Sequence, residues 1–104
     1  MTLVTAIGRL VNQIAHWTPA RWEKPVSAGA STRAEAVHAL AQRLADAAAD
    51  ASGQPRRPVP RLDNDLALPD QLRVVSADLA AAGASRPDLL ALLEADTRAV
   101  AAGL

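Results

Sequence analysis

Residues 3–17 read LVTAIGRLVNQIAHW. Leu3, Val4, Ile7, Leu10, Val11, Ile14 and Trp17 recur at steps of three and four, the spacing that lines one face of an α-helix. Thr5, Gly8, Arg9, Asn12, Gln13 and His16 fill the opposite face, and only Gly8 weakens it, by about 1 kcal/mol relative to Ala. The stretch therefore predicts a helix over 3–17. Within it Leu3, Ile7, Leu10, Ile14 and Trp17 alternate four and three residues apart. That is a heptad seam with Ile at a and Leu at d, a choice that suits parallel pairing of two strands. Two heptads are too few for an independent coiled coil, so most of this face is expected to pack on the chain's own helices.

Working outward, Thr18 before Pro19 suits an N-cap with proline at the first helical position, giving a single turn over 19–23 that Pro25 stops. Val26 to Ser31 read as a flexible connection. Thr32-Arg-Ala-Glu35 offers a capping box that opens a second helix, 33–51. Val37, Leu40, Ala41, Leu44, Ala48 and Ala51 form its inner stripe, and Gly53 stands where a left-handed residue closes a helix. Pro55, Pro58 and Pro60 preclude a regular helix or inner strand. The segment 53–68 should lie extended on the surface, with Leu62, Leu66 and Leu68 dipping into the core.

A third helix, 69–82, is expected to start at Pro69 with Asp70 in its first turn, to turn Leu72, Val75, Leu79 and Ala82 inward, and to end at Gly83. Ser85-Arg-Pro-Asp88 reads as a second capping box, opening a helix over 86–102 that buries Leu89, Leu92, Leu93 and Val100. The short link between the last two predicts an αα-hairpin. No strand pattern or internal repeat is visible. The expected fold is all-α: one domain, 1–104, a small four-helix bundle with a proline-rich crossing segment.

Composition narrows the function. The 104 residues include 25 Ala but only 27 larger apolar residues, with no Phe or Tyr. At about 25 cal/mol per Å² buried, alanine contributes little, so the chain is expected to need a partner surface, most simply a second copy, as a homodimer. There is no cysteine, hence no disulfide or thiol nucleophile. The apolar runs fall short of the roughly 20 residues that span a bilayer, and no signal peptide is apparent; the expected location is cytoplasmic. Ten Arg against one Lys beside so much alanine is the usage of a GC-rich, bacterial-looking gene. Net charge is zero, but residues 1–62 carry +4 and residues 63–104 carry −4. Such a balance makes a poor general nucleic-acid binder.

No constellation points to catalysis. His16 and His38 sit on polar faces of different helices, and no nucleophile elbow or zinc motif occurs, so neither enzyme activity, metal nor cofactor is expected. Asp63-Asn64-Asp65 lacks the glycine and glutamate of a calcium loop; local turns and charge balance with Arg56, Arg57 and Arg61 explain it. Residues 79–93 have the rhythm of a helix-turn-helix, but Leu79 stands where a small residue is needed, and Asp88, Glu94 and Asp96 would repel phosphate. Arg56-Arg57-Pro58-Val59-Pro60-Arg61 resembles a polyproline ligand, or else a stiff tether.

These features predict a non-catalytic interaction or assembly module that self-associates. The contact surface is expected on Leu3, Ile7, Leu10, Ile14, Trp17, Arg21 and Trp22, since Trp and Arg dominate binding hot spots. An alternative uses the same helix and the Trp17–Trp22 turn at a membrane surface, where indole rings suit the headgroup level.

Overall fold

The computed structural model describes residues 2–27, 29 and 31–104. These residues are mostly helical, with no strand among them. The helices are α1 (Leu3–Ile14), α2 (Pro19–Trp22), α3 (Arg33–Ser52), α4 (Leu68–Ala82) and α5 (Pro87–Gly103), with a 3₁₀ turn at Asp65–Ala67 leading into α4. No helix among the described residues is long and apolar enough to cross a membrane.

Helix ends follow local chemistry. Thr2 caps α1 by accepting from the Thr5 amide at 3.1 Å. The helix stops at Ile14, short of the predicted Trp17. Thr18 is extended (φ −75°, ψ 160°) because it caps α2 and precedes Pro19, so the chain must leave helical geometry beforehand. The α3 capping box forms as predicted: Glu35 N–H donates to Thr32 Oγ1 at 3.1 Å, and Thr32 N–H to Glu35 Oε1 at 3.0 Å. Gly53 closes α3 at φ 70°, in the left-handed region.

The second capping box does not form. Arg86, not Ser85, occupies the N-cap of α5, and no side chain caps it. Pro87 starts the helix without an N–H to satisfy, while Asp88 pairs with Arg86 at 3.4 Å. Nor do α4 and α5 make a hairpin. α3 packs along α4, α1 packs against both α4 and α5, and α3 also touches α5, but α4 and α5 have no extended contact with each other. They splay to straddle α1. At their junction glycine is needed for space: a Cβ on Gly83 would meet the Leu79 carbonyl oxygen at 3.0 Å and Leu90 Cδ2 at 3.1 Å.

The core joins one face of every helix. Leu10, Ile14, Trp22, Val37, Leu40, Leu44, Leu68, Leu72 and Leu79 are completely or almost completely buried. Two polar side chains share it, each satisfied within its own helix: Thr97 Oγ1 donates to the Leu93 carbonyl (2.8 Å) and Ser76 Oγ to that of Arg73 (3.0 Å). Four large apolar residues predicted to face inward are exposed, Val4 at the edge of the α1 face among them. Leu62 precedes the 3₁₀ turn and Leu66 is its outward middle residue, so only Leu68, just after it, goes inward, and Leu92 (66% exposed) points away because Leu93 and Thr97 set the buried phase of α5. Residues 28 and 30 of the expected flexible connection lie outside the described residues. Around them, Val26 N–H donates to the Ser31 carbonyl (3.0 Å), and Ser27 N–H and Oγ both donate to the Gly103 carbonyl (2.9 and 2.6 Å).

The expected shortage of cover does not materialise. Among the described large apolar residues only Val4, Leu62, Leu66, Val74 and Leu92 are exposed. The accessible surface, 5889 Å², is near the roughly 5,500 Å² expected of a folded monomer of this mass. The radius of gyration, 13.1 Å, matches the compact value of about 13 Å. Alanine explains this: Ala34, Ala41, Ala47 and Ala48 are buried on α3, letting neighbouring helices close around few large side chains.

Two outcomes follow. Trp22→Ala should cost about 3–5 kcal/mol and reduce helicity, read by urea unfolding followed by circular dichroism, because the ring is completely buried. The Thr32 amide and hydroxyl hold the Glu35 carboxyl below the usual carboxylate range, and Arg56 does the same for Asp50. A carboxyl depressed on folding contributes stability above its unfolded value and loses it as pH falls through the folded one. Thermal melts from neutral into acid should show this decline, and Glu35→Gln should flatten its share.

Candidate functional site

Six of the seven residues predicted for a contact surface are core. Leu3, Ile7, Leu10, Ile14, Trp17 and Trp22 are buried within the chain, and only Arg21 is exposed. The turn of α2 swings Trp22 beneath Trp17, the rings meeting edge to face at 4.9 Å and 67°. The guanidinium carbons of Arg21 and Arg33 each lie 5.0 Å from the Trp17 ring centre. Arg33 reaches on to the Arg21 carbonyl (3.3 Å). Rings so enclosed do not present their indoles to a lipid headgroup layer in this fold.

The histidines are not a pair. His16 is exposed at the end of α1, while His38, expected on a solvated face, is half-buried and donates from Nε2 to the Val59 carbonyl at 2.9 Å. Among the described residues no group of three His, Asp or Glu side chains is arranged to hold a metal. Asn64 Oδ1 accepts from the Leu66 amide (3.0 Å) and Asp65 pairs with Arg61, the local turn and charge balance predicted for this cluster.

His38 belongs to a larger arrangement. Gln42 Oε1 accepts from the Val59 amide at 2.7 Å, its Nε2 donates to the Arg57 carbonyl at 3.1 Å, and Gln71 Nε2 donates to the Pro60 carbonyl at 2.9 Å. Side chains from α3 and α4 thus hold residues 57–60 by their backbone. Arg56 anchors the upstream end, bidentate on Asp50 (3.0 and 2.6 Å). The segment is a fixed tether rather than a free polyproline ligand, whose backbone carbonyls would have to face a receptor.

Fixing the tether creates relief on the surface. Between it and α4 runs a groove of about 450 Å³ whose walls include Val59, Pro60, Leu62, Val74 and Val75. On the other side of α4 a second groove, of about 360 Å³, separates it from α1 and is lined by Val4, Gly8, Asn12, Arg73 and Ala77. α4 is therefore a ridge between two depressions. Its phase is set by Leu68, Leu72, Ser76 and Leu79, which face inward, leaving Asp70, Arg73, Val74, Ala77, Asp78 and Ala81 outward. Sequence reasoning assigned the inner face to Leu72, Val75, Leu79 and Ala82; Val75 and Ala82 are only half-buried, and Ser76 takes the inner place. The adjacent valines were the available signal, since a helix cannot turn Val74 and Val75 to the same face. Val74 is 61% exposed, Val4 62% and Leu62 43%, so three of the five exposed large apolar residues border this ridge.

Gln42→Ala should release the Val59 amide, raising its hydrogen-exchange rate in the folded protein, with a stability loss of about 1–3 kcal/mol from the polar groups left unpaired. Unchanged protection at Val59 would contradict the anchoring role.

Comparison of the chain with protein families, with curated proteins and with solved structures finds no match.

Proposed function

We propose that the chain is a non-catalytic helical interaction module, a single domain whose four long helices form a small bundle, and that it self-associates. The contact surface is the α4 ridge with its two grooves, not the α1 seam. One observation carries this reading: Val74, Val4 and Leu62, three of the five exposed large apolar side chains, border a single helix. Isolated exposed apolar residues are ordinary, whereas a shared, contoured apolar surface is the usual mark of a binding face.

The size of the face bears on strength. α4 has 15 residues and so is about 22 Å long. A strip on the order of 20 Å wide along it offers about 450 Å² per partner, or about 900 Å² in total, below the roughly 1,200–2,000 Å² of stable interfaces and in the range of weak, transient ones. Association of this kind is reversible and concentration-dependent. Sedimentation equilibrium from micromolar to millimolar protein should show a monomer–dimer transition. Val74→Asp and Leu62→Asp should each weaken it about tenfold or more, without changing the circular dichroism spectrum, since both positions are exposed. A wild type that stays monomeric throughout the range contradicts self-association.

A further inference from the structure

The outward residues of α4 fall into a short heptad frame: Asp70 at d, Arg73 at g, Val74 at a, Ala77 at d, Asp78 at e and Ala81 at a. From this we infer that a second copy of the chain docks on α4 with the two α4 helices parallel, closed by two reciprocal ion pairs between Arg73 and the partner's Asp78. The inference rests on the interaction-module reading above and assigns its occupant and orientation.

Charge decides the orientation. Arg73 and Asp78 lie on opposite flanks of the Val74–Ala77–Ala81 line. In a two-fold antiparallel pair like flanks face each other, setting Arg73 near the partner's Arg73 and Asp78 near the partner's Asp78. In a two-fold parallel pair unlike flanks meet, and Arg73 faces the partner's Asp78 five residues onward, an axial offset of about 7.5 Å that an arginine side chain spans. Within one chain Asp78 has no ion-pair partner among the described residues, and the only one for Arg73 is Asp70, at 2.7 Å on the open surface. Reaching the partner's Asp78, about 12 Å further along the axis than Asp70, takes Arg73 off its open-surface contact and leaves Asp70 in the first turn of α4, where the helix N-terminus favours its charge.

Shape agrees with charge. Ala77 and Ala81 let the two helices approach closely, with Val74 as the one large seam residue. Meeting of unlike flanks also brings the α1 side of one copy, with Val4, to the same edge as the tether side of the other, with Leu62. The exposed apolar groups then cover each other across both edges.

The test uses charge reversal in the full chain, read by sedimentation equilibrium. Arg73→Asp alone and Asp78→Arg alone should each weaken association about tenfold or more, and the double variant should restore it to within about threefold of wild type. If Val74→Asp weakens association but the single reversals do not, or the double variant stays as weak as they are, the parallel register is overturned while the docking face stands. A wild type monomeric to millimolar concentration overturns both. Because the chain has no cysteine, orientation has a direct readout as well. Ala81→Cys places two thiols across the parallel seam and should form a disulfide-linked dimer on mild oxidation at least about tenfold faster than Ala95→Cys, an exposed control on α5. Equal rates would overturn the parallel arrangement.

Discussion

The structure depends on enclosing two indole rings at a sharp corner. Burying a tryptophan removes about 150–250 Å² from water, worth roughly 4–6 kcal/mol at 25 cal/mol per Å². That exceeds the roughly 1–3 kcal/mol cost of leaving the Trp22 indole N–H buried without an acceptor. The corner also explains the order of the elements. α1 must end before Thr18 so that α2 can turn Trp22 under Trp17. Arg33, at the start of α3, then closes over Trp17 while its amide donates to the Lys24 carbonyl at 2.8 Å. In a chain whose other apolar residues are aliphatic, these rings fix how the first third of the molecule joins the rest.

Features set by a few neighbouring residues were legible in the sequence. The Thr32–Glu35 capping box, the left-handed Gly53 and the Pro19 turn each need only local geometry, and each occurs where the sequence predicts it. The errors arose where two local signals competed or where tertiary packing chose between them. Ser85 offered a cap, but Pro87 already started α5 without one. Leu62, Leu66 and Leu92 have core-like side chains, yet the phase of the helices and the 3₁₀ turn leave them outside. The α1 seam read as a pairing surface because its heptad spacing does not say which chain covers it, and the covering helices are the chain's own.

The proline-rich segment shows how a stretch without regular structure is made rigid. Proline limits the freedom lost on docking, and the Val59 N–H and the carbonyls of Arg57, Val59 and Pro60 are taken up by His38, Gln42 and Gln71. These three polar side chains face solvent in a simple helical projection, which is why their role was invisible without the fold. Their effect is to turn the segment into a wall, and the wall makes the groove beside α4.

The phase of α4 separates what folding demands from what it leaves open. Leu68, Leu72 and Leu79 fix which face is buried, and with them Ser76 inward and Val74 outward. Nothing in that constraint requires valine at position 74. A β-branched residue is a poorer helix former than Lys, Glu or Gln, and its exposed methyl groups gain nothing from burial. The same holds for Val4, outward on α1. Helix propensity alone would favour polar residues at positions 4 and 74. The apolar character of Val74, with Val4 and Leu62 on the two sides of its helix, is the observation on which the proposed docking face rests, and the opposed flanking charges of Arg73 and Asp78 are what would give such a contact its direction.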